Sequence, residues 1–334
     1  MFKRTSVVAI GTLGGTITMT SNQGAAGVSS TLGAEDLAQS IPGLANLNIK
    51  LTLKTLANLA SGSIRFETLF NALRWAKQQV EDGADGVVLV QGTDTLEESA
   101  FLMHLYWPYP QPLVLTGAMR SPSEAGADGP ANLLAAIETA ASPAMQNYGA
   151  LVVMGDEVHQ ARYVKKLHTT SVGAFASPII GPVAYLQENQ LIVYRLPSPN
   201  RFVFDIPDQF TAQTLLIETT LDESVALYQA IPDLGYQGLV IAGYGSGHVS
   251  EKVRDVLTPI VAKMPVIMAS RTGAGSTTKA VYGYKGGEID LQAMGIMMAG
   301  GLCPRKTRLL LNALLWSGAT RLEIQQRVKQ FGEG

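Results

Sequence analysis

The chain has 334 residues, and at about 150 residues per domain this length predicts two domains. Apolar residues make up 46% of the chain and charged residues only 16%, which excludes a disordered polymer and provides for a large core. The formal net charge of −2 supplies no overall basic field for nucleic acid or an anionic membrane. The single cysteine, Cys303, excludes an internal disulfide and a multi-cysteine metal site.

The first residues have the outline of a signal peptide, because Lys3 and Arg4 precede the apolar run Val7–Ile10. That run is short and continues into Gly-Thr-Leu-Gly-Gly-Thr without an A-x-A cleavage site, so it predicts a first strand and a glycine turn. No apolar stretch reaches the ~18 residues that span a bilayer. We therefore expect a cytoplasmic protein with no membrane partner.

Short runs of Val, Ile and Leu that end in Gly, Thr, Asp or Ser recur along the chain and predict strands. These runs are Ser6–Ile10, Gly86–Val90, Leu113–Leu115, Ala150–Met154, Leu239–Ala242 and Val266–Ala269. Because they are continuously apolar rather than alternating, they are typical of strands buried on both faces of a parallel sheet. Helical periodicity lies between them, at Phe66–Val80, Pro130–Ala141 and Lys306–Trp316. The alternation predicts an α/β fold whose parallel-rich sheets carry helices on both faces.

The composition changes near residues 185–212. Tyr185–Arg195 predicts a hairpin around Glu188 and Asn189, and the stretch that follows, Leu196–Asp208, contains three prolines and no helical period. We predict an N-terminal catalytic domain at 1–190, a linker at 191–212 and a smaller α/β C-terminal domain at 213–334.

Polar turns follow the predicted strands and meet at the carboxyl edge of the sheet, where ligands of such folds collect. Many of the 34 glycines lie in these turns, but none forms the phosphate-binding pattern G-x-x-x-x-G-K-[ST] or the dinucleotide pattern G-x-G-x-x-G. The nucleophile elbow G-x-S-x-G is also absent from the sequence. The four histidines show no metal-ligand spacing, so we predict no metal site.

Thr16 and Thr93 each follow a predicted strand, next to glycines whose backbone N–H groups are suited to holding an oxyanion. A threonine hydroxyl needs a base before it acts as a nucleophile. The candidate base is Lys165 or Lys166, since neighbours in an extended segment point to opposite faces and only one of them faces a site. The residues alone leave an alternative open, in which the threonines or Asp94 cap helices and both lysines are solvated.

The threonine segments match a known family. Gly14-Gly15-Thr16-Ile17 and Gln91-Gly92-Thr93-Asp94-Thr95-Leu96-Glu97-Glu98 resemble the two signatures of the bacterial L-asparaginase family, the asparaginase/glutaminase amidohydrolases. Further matching segments follow in order along the chain: Gly117–Arg120, Ala127–Leu133, Val152–Asp156, Lys166, His168–Thr170, Ala242–His248 and Ser270–Gly273. The pattern resembles the type II-like, high-affinity branch of the family more than its type I branch.

The resemblance implies a two-domain fold with a flavodoxin-like N-terminal domain, no cofactor, and a homotetramer that is a dimer of tight dimers. A neighbouring subunit would complete each site. The implied reaction is hydrolysis of L-asparagine to L-aspartate and ammonia through an acyl-enzyme, with L-glutamine as a side substrate. Thr16 looks like the nucleophile, and Thr93, Lys166 and Asp94 look like the second threonine, its base and a supporting carboxylate. Which of the two threonines attacks the amide, and whether water attacks it directly, stays open.

The resemblance also assigns substrate contacts. Asp94 would bind the α-ammonium of the substrate, for which a carboxylate is the right partner, and Ser61 would bind its α-carboxylate. The other substrate-binding positions carried over are Gly62, Gly92, Thr93, Ala118, Ser246 and His248.

The chain departs from the family pattern in the loop after the first threonine, Thr18–Leu32. This loop lacks the usual tyrosine, and no tyrosine precedes Tyr106. Its glycines Gly24 and Gly27, together with Gly33, predict a mobile lid.

Three further departures concern the substrate contacts. The usual glutamine after Ser61 is Gly62, and asparagines of the C-terminal loop are replaced by Ser246 and His248. Tyr282 stands near the position of a glutamate that acts across subunits. We hypothesise that Tyr282 of a neighbouring subunit replaces the missing loop tyrosine; packing on a hairpin is its alternative role.

Two other functions stay open from the sequence. One is a glutaminase-asparaginase with broad preference, since one methylene is worth only about 1–3 kcal/mol in a pocket. The other is an amino-acid-binding protein with weak or no turnover, which the substitutions at positions 62, 246 and 248 favour.

Overall fold

The computed structural model describes residues 4–21, 28–30, 33–39, 41, 44, 47–188, 190–198 and 201–333. The chain divides into two compact units, Met1–Val203 and Phe204–Gly334. The division falls inside the stretch 191–212 that the sequence predicts as a linker. The first residues of that stretch belong to a strand of unit 1, because Leu191–Val193 pair with the strand before them.

Unit 1 is built on a sheet in which the described residues form eight strands. The strands are β1 (Ser6–Thr12), β4 (Ile49–Thr55), β5 (Gly86–Val90), β6 (Leu113–Thr116), β7 (Ala150–Met154), β8 (Glu157–Gln160), β11 (Ala184–Gln187) and β12 (Gln190–Val193). The order β4-β1-β5-β6-β7 is parallel throughout and is the flavodoxin-like order that the sequence analysis expects. The strands β8, β11 and β12 extend this sheet in antiparallel fashion, and β11 and β12 form the predicted hairpin. Asn189 of its turn lies outside the described residues.

The helices of unit 1 pack on this sheet. They are α1 (Ala34–Gln39), α2 (Phe66–Glu81), α3 (Leu96–Tyr106) and α4 (Gly129–Ala141). The four central strands β1, β5, β6 and β7 have fully buried centres, as their continuous apolar runs predict. α3 is buried over nearly its whole length, and α2 buries one face that includes Leu69, Leu73 and Ala76.

Two small antiparallel ribbons complete unit 1. The strands β2 (Met19–Ser21) and β3 (Val28–Ser30) form one of them, inside the segment that the sequence analysis treats as a lid. Gly24 and Gly27 lie outside the described residues, so the lid stays a prediction. The strands β9 (Lys165–Lys166) and β10 (Phe175–Ala176) form the other ribbon.

Unit 2 carries a parallel sheet with the order β13-β14-β15-β16 in the described part of the chain. The strands are β13 (Thr214–Glu218), β14 (Gly238–Gly243), β15 (Val266–Ser270) and β16 (Met297–Met298). The helices are α5 (Ala226–Ala230), α6 (Glu251–Val256), α7 (Thr258–Lys263), α8 (Glu288–Ala293), α9 (Pro304–Trp316) and α10 (Arg321–Glu333). A core of its own, which includes Leu239, Ile241 and Met268, fills the space between sheet and helices.

The predicted strands and helices are present within two residues of their expected bounds, and the α/β fold with two domains is confirmed. Several strands lie outside the predicted runs, among them β8, β16 and the edge strands β4 and β13. In β4 polar residues such as Lys50 and Lys54 alternate with apolar ones, because only part of an edge strand faces the core.

Candidate active site

Three turns meet where the order of the parallel strands reverses in unit 1. β1 lies between β4 and β5, and the turns after these strands carry Thr16, Ser61 and Thr93. Such a switch point leaves a crevice beyond the carboxyl ends of the strands, where ligands bind in open α/β sheets. The topology thus gathers residues that are 45 and 32 positions apart in the chain.

Glycine at position 15 allows the two threonine turns to touch. Its φ of 99° is left-handed, and a Cβ added there would lie only 2.1 Å from Gly92 N. No side chain fits that gap, so glycine is required for this approach. A Cβ on Gly92 would in turn lie 2.9 Å from Ser61 Oγ. The backbones beside Thr16, Ser61 and Thr93 are therefore packed against one another.

Lys166 reaches the second threonine turn from the ribbon β9–β10. Its Nζ lies 2.8 Å from Thr93 Oγ1 and 2.6 Å from Asp94 Oδ1. The Lys166 side chain is only 15% exposed, so it is not a solvated surface lysine. The ammonium group is directed at a hydroxyl and a carboxylate on one turn, an arrangement suited to proton transfer with the hydroxyl.

Asp94 is held as a carboxylate. The hydrogen bond from Lys166 lowers its pKa most; partial burial opposes this, and the charge of Lys166 and a hydrogen bond from Ser61 lower the pKa further. The side chain of Asp94 is 76% exposed, so its second oxygen is accessible to a ligand. Ser61 Oγ accepts a hydrogen bond from Asp94 N at 3.3 Å, which fixes the serine beside the carboxylate.

Neither Thr93 nor Asp94 caps the following helix. Thr93–Thr95 form a separate 3-10 turn, and the N-cap of α3 is Thr95, whose side chain makes no capping hydrogen bond. Thr95 Oγ1 donates instead to Ser61 O at 3.0 Å. The capping alternative is therefore wrong for these two residues.

Glu97 is a site residue that the sequence analysis quotes in its motif but gives no role. It is 2% exposed, and its Oε2 accepts a hydrogen bond from Lys166 N at 2.6 Å. The first turn of α3 thereby fixes the backbone of the lysine whose amine meets Thr93. No local signal identifies this role, because 69 residues separate the two partners.

The turn after β6 lies beside the Thr93 turn at the carboxyl edge of the sheet. Ala118 is fully buried there, and a Cβ on the preceding Gly117 would lie 3.3 Å from Thr93 Cγ2. Asp128 accepts hydrogen bonds from the backbone N–H groups of Met119 and Arg120 and so fixes the turn. Gly62 follows Ser61 in the 3-10 turn Ser61–Ser63, and a Cβ added there would meet no atom within 4 Å.

The C-terminal candidates lie in unit 2, and the structure joins two of them. Ser246 Oγ lies 3.2 Å from His248 Nε2. The same nitrogen lies 3.0 Å from Oε2 of the fully buried Glu288, and His248 Nδ1 lies 2.9 Å from Tyr284 Oη. Glu288 and Tyr284 are absent from the sequence-based candidates, because neither stands in a quoted motif.

Tyr282 also belongs to this cluster. Its ring stands edge-on to the imidazole of His248, with centroids 4.9 Å apart, and 43% of the residue is exposed. Its backbone N–H donates to Glu288 Oε1 at 2.8 Å. Tyr282 therefore packs against its neighbours in the loop and also exposes its phenol at the surface. The hypothesis that it replaces the missing loop tyrosine in a neighbouring subunit stays a prediction.

Among the described residues, no group of three or more His, Cys, Asp or Glu side chains is arranged to hold a metal ion. The described helices also include none that is long and apolar enough to cross a membrane.

Comparison with known proteins agrees with this geometry. The family model for the N-terminal domain of asparaginase matches residues 7–199, and the model for the glutaminase/asparaginase C-terminal domain matches residues 215–327. L-asparaginase 2 of Escherichia coli is 32% identical over 307 residues, which cover 90% of this chain and 85% of that protein. A probable L-asparaginase of Deinococcus radiodurans is 37% identical over 262 residues, covering 75% of this chain and 76% of that one.

A solved structure is similar over almost the whole chain. The crystal structure of a probable cytoplasmic L-asparaginase from Campylobacter jejuni superposes with a TM-score of 0.87 and 28% sequence identity. The match covers 97% of this chain and 99% of that one. Both domains and their order are therefore shared with this structure.

Proposed function

The chain belongs to the asparaginase family, and from that premise we propose that it hydrolyses the side-chain amide of L-asparagine to L-aspartate and ammonia. The observation that carries this proposal is the Thr93–Lys166–Asp94 group, packed through Gly15 and Gly92 against the turn that bears Thr16. It supports a site in which two hydroxyls, an amine and a carboxylate act together at one edge of the sheet.

In the proposed mechanism Asp94 binds the α-ammonium of the substrate and Ser61 binds its α-carboxylate. The lowered pKa of Asp94 supports the first role, because the carboxylate stays charged over the pH range in which an amino acid carries its ammonium. Gly92, Thr93 and Ala118 form the wall around the amide. These contacts orient the amide carbon toward Thr16.

Thr16 Oγ1 attacks the amide carbon, and the negative charge that develops on the carbonyl oxygen is held by backbone N–H groups of the glycine turns. The hydroxyl proton leaves Thr16, a proton joins the amide nitrogen, and ammonia departs from an ester between Thr16 and aspartate. Water then attacks the ester. Thr93 and Lys166 exchange the protons of this step, since the amine lies 2.8 Å from Thr93 Oγ1.

We also propose that a neighbouring copy of the chain completes each site, within a homotetramer that is a dimer of tight dimers. Ser246, His248 and Tyr282 are the residues assigned to that contribution. The clustering of Ser246 and His248 with the exposed Tyr282 in unit 2 supports it. Size-exclusion chromatography with light scattering tests the assembly.

L-Glutamine is proposed as a side substrate. The open space at Gly62, where an added Cβ meets nothing within 4 Å, supports a site with room for one more methylene. A cytoplasmic location is supported by the name of the Campylobacter structure, whereas a relative from Haemophilus influenzae, 31% identical, is named as periplasmic. Cell fractionation decides between the two compartments.

Steady-state release of ammonia from L-asparagine and L-glutamine tests the function. Turnover of L-asparagine that disappears in Thr16→Ala and Thr93→Ala is expected. Stabilisation of the fold by L-aspartate without any turnover would contradict the proposal and would identify an amino-acid-binding protein instead.

A further inference from the structure

The imidazole of His248 is held at both of its nitrogens. Nε2 lies 3.0 Å from Glu288 Oε2, and Nδ1 lies 2.9 Å from Tyr284 Oη. His248 is 9% exposed and Glu288 is fully buried, whereas Tyr284 is 53% exposed. The three side chains thus form a line from the interior of unit 2 to its surface.

The buried end of this line is an ionised carboxylate. Burial raises the pKa of Glu288, but hydrogen bonds from Tyr282 N and Val281 N and one from His248 outweigh it and hold the pKa at about 2. The two backbone donors lie 2.8 and 2.7 Å from Glu288 Oε1. At neutral pH the carboxylate only accepts hydrogen bonds, so the hydrogen between the two side chains belongs to His248 Nε2.

The direction of the second hydrogen bond follows. A neutral imidazole with its hydrogen on Nε2 has a lone pair on Nδ1, so Tyr284 O–H must donate to that nitrogen. Ser246 cannot give its proton to the ring, because its Oγ faces the nitrogen that already carries the hydrogen, at 3.2 Å. The basic side of the imidazole is therefore directed at Tyr284.

The groups around Tyr284 keep its proton on the phenol until a base removes it. Partial burial raises its pKa most, and the negative charge of Glu288 and the neighbouring Tyr282 raise it further. The titratable side chains that face the ring of His248 are Glu288, Tyr282 and Tyr284. In an acid–base relay a carboxylate orients a histidine, and the histidine accepts a hydrogen bond from an exposed hydroxyl. Glu288, His248 and Tyr284 have this arrangement.

We propose that Glu288, His248 and Tyr284 form a proton relay whose exposed end, the Tyr284 phenol, takes the proton from the attacking threonine. This inference rests on the proposed function and on the contribution of unit 2 from a neighbouring copy. As Thr16 Oγ1 bonds to the amide carbon, its proton passes to Tyr284 Oη, and the Tyr284 proton passes to His248 Nδ1. The imidazolium beside Glu288 then returns a proton through Tyr284 to the departing ammonia, so no external acid or base is consumed.

The relay distinguishes Tyr284 from Tyr282. Tyr282 packs its ring against His248 and donates its backbone N–H to Glu288, whereas Tyr284 contacts His248 through its hydroxyl. Only the hydroxyl of Tyr284 can pass a proton to the imidazole. Within this cluster Tyr284 is therefore the phenol that takes over the task of the missing loop tyrosine, and Glu288 acts as a positioning residue.

The state of His248 is tested first, without reference to turnover. In the full-length protein labelled with ¹⁵N-histidine, we expect the signals of His248, assigned by their loss in His248→Gln, to show hydrogen on Nε2 and none on Nδ1. In Tyr284→Phe the Nδ1 signal should move, because its hydrogen bond is gone. Hydrogen on Nδ1 in the wild type, or an unmoved Nδ1 signal in Tyr284→Phe, would overturn the relay.

The catalytic role is tested by the pH profile of kcat. Tyr284→Phe keeps the ring and its packing, and it should lower kcat by about 10²-fold or more. The pH profile of kcat should change in Tyr284→Phe and His248→Gln and keep its wild-type shape in Tyr236→Phe, which alters a tyrosine of the unit 2 core outside this cluster. The same pH profile in all four proteins would refute the catalytic role. If the wild type releases no ammonia from either amide, the proposed function fails and the catalytic role with it, while the histidine signals still decide whether the relay exists.

Discussion

Lys166 Nζ lies 2.8 Å from Thr93 Oγ1, although 73 residues separate the two in the chain. The amine and the hydroxyl come from different elements, the ribbon β9–β10 and the turn after β5, and Asp94 binds the same amine. In the proposed mechanism this contact supplies a base that the threonine turns do not contain themselves.

Lys166→Met should abolish that chemistry while leaving the fold intact. Loss of a positioned proton-transfer group costs about 10²–10⁴-fold, so kcat for ammonia release should fall by that factor. Lys165→Met is the matched control, because Lys165 is the other residue of the two-residue strand β9 and its side chain points to the opposite face. Equal activities of the two variants would show that Lys166 has no catalytic role.

Glu97 should act through the lysine. Glu97→Leu removes the acceptor of Lys166 N, which lies 2.6 Å away, and should lower kcat with little change in KM, since Glu97 contacts no proposed substrate group. Glu97→Gln keeps an oxygen that accepts this N–H and should recover much of the activity. Glu98→Leu serves as the control on the same helical turn. A Glu97→Gln variant as inactive as Glu97→Leu would mean that the negative charge, not the hydrogen bond, is needed.

Gly15→Ala should damage the site more than any other single added methyl group in the threonine turns. The new Cβ would lie 2.1 Å from Gly92 N in a left-handed conformation with φ of 99°, which costs at least about 1–2 kcal/mol before the clash is counted. We expect a lower Tm and loss of ammonia release. Gly173→Ala, whose Cβ would meet nothing closer than 3.9 Å, is the control. Normal Tm and activity of Gly15→Ala would contradict the contact between the turns.

Gly62→Gln should change substrate preference. The open space at Gly62 accepts the longer side chain, and an added amide beside Asp94 gives the substrate ammonium a further acceptor. We expect kcat/KM for L-asparagine to rise relative to L-glutamine by about tenfold, corresponding to about 1.4 kcal/mol. Gly62→Leu fills similar space without the amide and separates volume from hydrogen bonding. An unchanged ratio in Gly62→Gln would place position 62 outside the substrate contacts.

Glu288 should make the stability of unit 2 depend on acid. Its folded pKa of about 2 is below the ordinary 4.5, so the carboxylate stabilises the fold above pH 4.5 and loses this contribution as the pH falls toward 2. The shift corresponds to at most about 3 kcal/mol. In Glu288→Gln the free energy of unfolding at pH 7 should be lower, and its decrease between pH 4.5 and 2 should be shallower. Parallel pH curves of wild type and variant would contradict this.

The sequence by itself determines the buried frame and the two threonine turns. Continuous apolar runs identify β1, β5, β6 and β7, because strands covered on both faces need apolar side chains at every position. The edge strand β4 escapes this criterion, since polar residues alternate with apolar ones along it. Thr16 and Thr93 are recognisable because the glycines that shape their turns are neighbours in the chain.

Only the tertiary structure decides the partners of those turns. The contact of Glu97 with Lys166 spans 69 residues and that of Glu288 with His248 spans 40, and neither pair leaves a local pattern. The choice between Lys165 and Lys166 depends on which side of one strand faces Thr93. Local sequence determines the conformation of the backbone. Hydrogen bonds between residues far apart in the chain form only once the fold of each unit has brought its loops together.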